Sequence, residues 1–197
     1  MNAITNQLPL PIVRKDLNFR LEEVPRFWFD NDPFRTRIFD ALSLTFPDGE
    51  RYFIQCVRLF QDQIQEPELA SRVKDFIRQE AQHGISHDKM NKILIDQGMP
   101  IEKYIWQVNQ RFKHALMRYP HTFNIAITAS CEHLTALMAT TFFSEKSTMQ
   151  GAHPFVLALF AWHSIEEMEH RDVAFDVMVD VARTPNAVRY TALILVT

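Results

Sequence analysis

Two stretches of this sequence, FIRQEAQHGISH (Phe76–His87) and WHSIEEMEHRDVAFDV (Trp162–Val177), contain the spacing Glu-x-x-His. The two motifs are Glu80–His83 and Glu167–His170. In an α-helix, residues i and i+3 project from the same side and lie about 4.5 Å apart along the axis. A glutamate and a histidine at this spacing can bind one metal ion and reach a second ion beside it, as in helical bundles that hold metal pairs. We therefore interpret the motifs as the two halves of a dinuclear site.

Two further glutamates, Glu50 and Glu132, lie on the apolar faces of two other helical segments. A carboxylate that points into a bundle core loses several kcal/mol of solvation unless a positive charge neutralises it. Together with the two motif glutamates, these carboxylates require about four positive charges, which two divalent cations supply. Small residues beside Glu132, among them Ala129, Thr135 and Ala136, leave room there for a ligand or a substrate.

The sequence therefore predicts two divalent metal ions, with iron favoured and manganese or zinc as alternatives. The six predicted metal ligands are Glu50, Glu80, His83, Glu132, Glu167 and His170. A competing interpretation places the glutamates on the surface and the histidines at the edge of the core. In another, arginines turn inward and neutralise the carboxylates; the arginines near the motifs are Arg51, Arg58, Arg78 and Arg171.

Two additional histidines, His87 and His163, lie one helical turn from the motifs. Each is on the ligand-bearing side of its helix, and in antiparallel helices both would lie beyond the same end of the metal pair. We expect either one to be a seventh ligand or a catalytic group that relays protons or lines a substrate channel. The alternative is a histidine hydrogen-bonded to a ligand. Glu166 and Glu169 are expected to be solvated or paired with arginine.

The apolar periodicity predicts an all-α fold, and no segment shows the strict alternation of a β-strand. A short helix, capped by Asn31 or Asp32, is expected to begin near Pro33, to direct Phe34 and Ile38 toward the core, and to end at 46–49. A second helix is expected over about 48–63. Longer or later helices are expected over about 67–97, 101–117, 121–145 and 154–182.

The composition is that of one compact domain: 197 residues, 47% hydrophobic, with only 4 glycines. A net charge of -3 without a run of Lys or Arg argues against a nucleic-acid partner and favours a small molecule. Cys56 and Cys131 lack metal or redox spacing and are expected to be buried thiols. Because the N-terminus lacks the pattern of a secretory signal, we expect a cytoplasmic location.

We expect a single domain, 1–197, in which an extended N-terminal arm (1–30) precedes a metal-binding bundle (31–184). The arm contains Pro9, Pro11 and Pro25, and we assign it no chemical role. Residues 185–197 are expected to begin an apolar C-terminal helix that is truncated at Thr197, since no polar cap follows. As it stands, this segment is too short to span a bilayer.

Three stretches resemble the bacterial family of predicted metal-dependent hydrolases: LSLTFPDGERYF (Leu42–Phe53) and the two motif-bearing stretches above. The resemblance covers roughly residues 25–190 and implies a ferritin-like four-helix bundle with additional short helices. It implicates seven residues in the site: Glu50, Glu80, His83, His87, His163, Glu167 and His170. Members of the family commonly continue through hydrophobic helices, so membrane association through a longer C-terminal region stays open, as does a homodimer.

Three functions fit these features. We favour an O2-activating di-iron oxidase or oxygenase that acts on a small apolar or amine substrate, because four glutamates and two histidines form the ligand set of such bundles. The alternative is a hydrolase that activates a water with its metals and uses Glu50 or a free histidine as base. The third is a non-catalytic metal store or interaction bundle.

Overall fold

A computed structural model describes residues 12–15, 17–145 and 147–197. Within these ranges the chain is helical and contains no β-strand, apart from one isolated bridge between Phe29 and Ala152. The helices are α1 (Pro33–Arg58), α2 (Pro67–Asp96), α3 (Glu102–Arg118), α4 (His121–Ser144), α5 (Pro154–His170), α6 (Val173–Asp176) and α7 (Asn186–Val196). The prediction of an all-α fold is confirmed.

Helix α1 is continuous, so the predicted break at 46–49 is wrong. Pro47 lies inside the helix and is buried, although an internal proline costs about 3 kcal/mol. Close packing on α2 offsets this cost: a Cβ on Gly84 would lie 3.8 Å from Pro47 Cα and 3.2 Å from Glu50 Oε2. Glycine at this position therefore allows the two helices to approach each other beside the predicted ligand Glu50.

The beginning of α1 follows the prediction in its cap but not in its buried face. Asp32 is the N-cap, and its side chain accepts hydrogen bonds from the backbone N–H groups of Phe34 and Arg35. Phe34 and Ile38, which we expected in the core, are 75% and 45% exposed. Because α1 is one continuous helix, the packing of Pro47 and Glu50 on α2 decides which of its faces is buried. Phe34 and Ile38 lie on the opposite, outward face.

Helix α5 ends at His170, so the predicted helix over 154–182 is interrupted. A turn at Arg171 and Asp172 separates it from α6, which leads into a π-helical turn at Val177–Val181. After Pro154 the segment contains neither Gly nor Pro, and the sequence therefore carried no local signal of the break. Irregular turns of this kind often occur beside functional sites, and this one follows a predicted metal ligand directly.

The remaining helices agree with the prediction to within a few residues. Helix α2 begins at Pro67 after its N-cap Glu66, and it ends just before Gly98, whose φ of 81° suits only glycine well. The part of the predicted arm before residue 12 lies outside the described residues. Its later part contains a 3-10 turn at Leu21–Glu23 and buries Trp28 and Phe29.

Two apolar clusters lie at opposite ends of the bundle. One includes Phe53, Phe76 and Val173, and the other includes Phe39, Met90 and Leu159, with further residues in each. The predicted ligands of α1, α2 and α5 fall between the clusters along each helix. Because α1 and α5 pass from the second cluster to the first while α2 passes the other way, α2 is antiparallel to both. The antiparallel arrangement of the two motif helices is thus observed.

Helix α7 packs on α4 through a face that includes the buried Ala192. Its other side exposes Tyr190, Ile194 and Leu195. Across the described part of the chain, no helix has both the length and the apolarity that a membrane span requires.

Candidate metal centre

The two Glu-x-x-His motifs meet in the interior of the bundle. One ligand atom from each of Glu80, His83, Glu167 and His170 lies within 4.8 Å of the others, close enough to surround a metal ion. A second such group consists of Glu50, His83 and His163. All of these side chains are buried. Because His83 belongs to both groups, the two candidate positions for an ion are adjacent.

Glu132 joins the cluster through His170. Its Oε2 lies 3.1 Å from His170 Nδ1, and Glu80 Oε1 lies 3.0 Å from His170 Nε2. The structure therefore brings together all six residues that the sequence predicts as ligands, with His163 beside them. It argues against the surface interpretation, since none of the four glutamates is more than 4% exposed.

Many ligand atoms in this cluster have no hydrogen-bond partner, although they are fully buried. Among the described residues these atoms include both carboxylate oxygens of Glu50, together with Glu80 Oε2, Glu132 Oε1, Glu167 Oε2 and His83 Nδ1. Buried polar atoms without a partner are rare because each costs about 1–3 kcal/mol. Unpaired oxygens and nitrogens that converge on one point have the donor set that divalent cations bind, so the residues fit a metal site.

The electrostatics of the cluster show the same deficit of positive charge. Burial, together with the charges of Glu80 and Glu167, raises the pKa of Glu50 and that of Glu132 well above their ordinary value. Although burial opposes it, the neighbouring His170 lowers the pKa of Glu80, and His163 lowers that of Glu167. Without cations, the ionised form is therefore favoured for Glu80 and Glu167 but disfavoured for Glu50 and Glu132.

Arginines do not supply the missing charge at the cluster. Arg51 pairs with Asp48 and Asp88, while Arg78 pairs with Asp75. Arg171 lies beside Asp172, and Arg58 is exposed. The interpretation with inward-turned arginines is thus not supported for any of the four.

Glu166 makes contacts that sequence reasoning missed. It is 1% exposed and pairs with an arginine, which is the second of the two alternatives expected for it. Its Oε1 accepts a hydrogen bond from Arg14 at 3.0 Å, and its Oε2 lies 3.0 Å from His83 Nε2. Because a carboxylate only accepts, His83 donates from Nε2, which leaves Nδ1 as the nitrogen that would bind a metal ion after losing its proton.

The N-terminal arm, to which we assigned no chemical role, thereby contacts a residue that adjoins the centre. Arg14 also binds Glu169, with Nη2 2.7 Å from Oε1, and Gln79 Nε2 lies 3.2 Å from Glu169 Oε2. One signal could have indicated Glu166: it follows His163 by three residues and precedes His170 by four, so it shares their side of α5. The arm's contribution had no such signal.

His87 and His163 form a hydrogen-bonded row that ends at the centre. Ser43 Oγ lies 2.8 Å from His87 Nδ1, His87 Nε2 lies 2.8 Å from His163 Nδ1, and His163 Nε2 lies 3.1 Å from Glu167 Oε1. If Glu167 accepts from His163, neutral rings require each N–H in the row to point toward the centre. An ion at the site would contact His163, whereas His87 lies behind it.

An apolar cavity of about 230 Å³ opens beside this row. Glu50, His163 and Glu167 contribute to its lining, and most of the remaining surface comes from apolar side chains. A larger cleft of about 800 Å³, lined by residues such as Glu66, Arg72 and Asp176, contains none of the predicted ligands. We therefore regard the smaller cavity as the one that belongs to the site.

Comparison with known proteins agrees with this centre. A family model described as predicted metal-dependent hydrolase matches residues 13–197, which confirms the resemblance noted in the three stretches and extends it toward both ends. No match was found among curated proteins or among solved structures. The chain therefore belongs to the family of predicted metal-dependent hydrolases.

Proposed function

We propose that the protein is a hydrolase with a dinuclear metal centre. The metal ions would be held by Glu50, Glu80, His83, Glu132, Glu167 and His170, with His163 as an additional ligand. The observation that carries the proposal is the set of buried ligand atoms without partners in a cluster short of positive charge. Membership of a metal-dependent hydrolase family supports hydrolysis as the reaction.

Divalent ions at this place would supply Lewis acidity, which lowers the pKa of a water and polarises an ester or amide carbonyl. The protein's own groups would orient the metal ligands and line the approach to the centre. Glu166, held by Arg14, would fix the ring of His83, while apolar side chains would line the approach to Glu50 and His163. With His163 bound to metal through Nε2, its ring proton would be on Nδ1 and would be donated to His87 Nε2, so the row would hold the orientation of the His163 ring.

A second candidate is oxygen chemistry with iron, as the ligand set initially suggested. The specific observation in its favour is the arrangement itself: single glutamates on α1 and α4 and Glu-x-x-His on α2 and α5, the pattern of di-iron and di-manganese carboxylate bundles. A reduced iron pair would supply electrons for O2 reduction.

Loading the protein with different metals distinguishes hydrolysis from oxygen chemistry. We would measure the metal content per chain and then assay hydrolysis of p-nitrophenyl esters without oxygen, using zinc- or manganese-loaded protein. The hydrolase proposal expects two ions per chain and turnover under these conditions. Inactive zinc and manganese forms, combined with oxygen consumption and an oxo-bridge absorption band after Fe(II) loading, would support the oxygen chemistry instead. Uptake of many irons per chain would indicate storage.

The matched variants are Glu167→Gln and Glu169→Gln. Both lie on the same turn of α5, but only Glu167 presents an unpaired oxygen to the centre, whereas Glu169 bonds to Arg14. Glu167→Gln should lose metal and turnover together, and Glu169→Gln should keep two ions. Equal metal content in the two variants would contradict the ligand assignment.

A further inference from the structure

The cavity beside the centre has a polar end and apolar walls. Its polar end is formed by Glu50, His163 and Glu167, and its walls come from α1, α3, α4 and the last turn of α7. This arrangement suggests a ligand whose reactive group meets the metal centre while the rest of it lies along the walls. The identity of that ligand follows from the chemistry and the shape of the walls.

The two wall hydroxyls have no free hydrogen to donate to a ligand. The hydroxyl of Thr45 donates to the carbonyl of Leu42 at 2.9 Å, and that of Thr135 donates to the carbonyl of Glu132 at 3.0 Å. Both hydroxyls are therefore occupied within their own helices. Among the described lining residues, none is lysine or arginine, and no acidic residue lies outside the polar end. A ligand with several hydroxyl, amine or charged groups along its length would lose more hydration than the two threonine oxygens can replace.

The cavity is also long compared with its volume. Its lining runs along α4 from Cys131 to Met138, which spans about 10 Å, and along α1 from Leu42 to Phe53, about 16 Å at 1.5 Å per residue. These lining residues cover about three turns of α1 and two turns of α4, so the cavity of about 230 Å³ follows the two helices. That direction suits an extended chain better than a compact branched or cyclic group. Taking roughly 30 Å³ for a group the size of a water molecule, about eight carbon atoms fit.

We propose that this cavity binds an unbranched aliphatic chain of about eight carbons, whose reactive end lies against Glu50, His163 and Glu167. This inference rests on the proposed function in one respect: it takes the end of the ligand beside Glu50, His163 and Glu167 to be the site of reaction. It assigns the substrate class as medium-length aliphatic esters or amides. The apolar walls bind the chain, and the metal ligands stand at its head.

Gly49 is a position at which a substitution can shorten the available length. A Cβ at this position would lie 3.9 Å from Phe53 Cζ and 4.0 Å from Phe112 Cζ, which is ordinary contact, so a small side chain fits without displacing backbone. A larger side chain must extend into the cavity, since Gly49 is buried and is itself part of the lining. Met138 lines the cavity from α4, and its truncation should lengthen the cavity.

The test is a binding series that does not depend on turnover. Calorimetry would measure the affinity of straight-chain primary alcohols from butanol to dodecanol for metal-free and zinc-loaded protein. We expect the affinity to rise roughly fourfold per methylene and to level off near octanol in both forms. Cyclooctanol, with the same carbon number, should bind more than tenfold more weakly than 1-octanol. An affinity independent of chain length, or equal binding of the two C8 alcohols, would overturn the inference.

Three variants localise the binding. Gly49→Leu should move the plateau to a shorter alcohol, near pentanol, whereas Met138→Ala should move it to a longer one, near decanol. Ala41→Leu adds a similar side chain to α1 at an exposed position outside the cavity, and it should leave the plateau at octanol. If neither cavity variant moves the plateau while both remain folded by circular dichroism, the chain binds elsewhere and the inference is wrong.

Failure of this inference is distinguishable from failure of the proposed function. Two metal ions per chain and oxygen-independent ester hydrolysis without any chain-length dependence would remove the aliphatic substrate and leave the hydrolase. Length-dependent alcohol binding that follows Gly49→Leu, in a protein that takes up no metal, would keep the cavity assignment and remove the metal enzyme.

Discussion

Glu166 connects the N-terminal arm to the metal centre through a single side chain. It accepts from Arg14 at one oxygen and faces His83 Nε2 with the other, so it holds both the arm and the ring. Metal-binding histidines usually donate their second N–H to such an acceptor, which fixes the tautomer and makes the coordinating nitrogen more basic. The neighbouring Glu169 also binds Arg14, so Glu166 and Glu169 can be compared as a matched pair of residues.

Glu166→Gln should weaken metal binding by about 10–100-fold, the usual effect of losing such a partner. The amide removes the charge that holds Arg14 and supports the His83 N–H, while its size is nearly unchanged. Affinity would be measured by competition with a chromophoric chelator. Glu169→Gln is the control and should bind metal with an affinity close to that of the wild type. Identical affinities in all three proteins would show that Glu166 has no positioning role.

Glu50→Gln should separate the stability of the metal-free protein from that of the loaded protein. Neither oxygen of Glu50 has a partner, so the uncharged amide should leave the metal-free protein at least as stable as before. Metal at about one hundred times its Kd stabilises the wild type by about 2.7 kcal/mol, and the variant should gain less than half of this. Chemical denaturation with and without metal gives both values. Glu22→Gln, on an exposed residue of the arm, should keep the full gain.

At the scale of the elements, the continuity of α1 and the interruption after α5 both place ligands. Pro47 lies one turn before Glu50 within a single helix, and the turn at Arg171 directly follows His170. In each case local propensity and observed structure disagree beside a predicted ligand. Such disagreements are expected at functional sites, where tertiary packing stabilises locally unfavourable backbone.

Pro47→Ala should raise the free energy of unfolding by about 1 kcal/mol. Relief of the internal proline contributes about 3 kcal/mol, and the loss of two buried methylenes removes roughly 1.6 kcal/mol at about 0.8 each. Urea denaturation measures the difference. Pro33→Ala is the control, because proline at the first position of α1 lacks only an N–H that the helix does not use, so no gain is expected there. A net loss in Pro47→Ala would mean that the ring's packing outweighs the backbone.

The whole molecule buries a layer of ionisable groups between two apolar clusters. The helices around this layer are held by the apolar residues at either end, which include Phe76 and Val173 at one end and Met90 and Leu159 at the other. The fold can therefore tolerate an electrostatic cost in the middle that metal ions would relieve. The pH dependence of the metal-free protein should reveal this cost.

The metal-free protein should lose stability as the pH rises from 6.5 to 9. Although burial opposes it, Glu166 and Glu80 raise the pKa of His83 to about 9, and Glu132 likewise raises that of His170. A raised histidine pKa contributes stability below 6.5 that is lost as the pH climbs through the folded value. The carboxyl groups of Glu50 and Glu132, whose pKa values burial raises, act in the same direction.

The groups whose titration raises stability with increasing pH do so below pH 6.5. Burial lowers the pKa values of His87 and His163, so their contribution is complete by pH 6.5, and the lowered values of Glu80 and Glu167 act only below 4.5. Thermal melts in a chelating buffer test the sign. Metal-loaded protein should show no such decline, because metal replaces the protons. A melting temperature that is flat or rises between pH 6.5 and 9 without metal would contradict the account.

The sequence by itself determined the local features: the two Glu-x-x-His spacings, a cap at Asn31 or Asp32, the beginning of α2 at Pro67 and the all-helical class. These depend on periodicity and capping, which act within a turn or two of helix. The ligand roles inferred from the spacings stay predictions, although the structure brings the side chains together.

Only the tertiary structure decided which long-range contacts form. The helix through Pro47, the end of α5 at His170, the link from Arg14 through Glu166 to His83, and the cavity at Gly49 all depend on packing between distant segments. Arg14 and Glu166 are 152 residues apart, and no local pattern encodes such a pair. Packing energies of several kcal/mol override the smaller preferences that a sequence pattern reports.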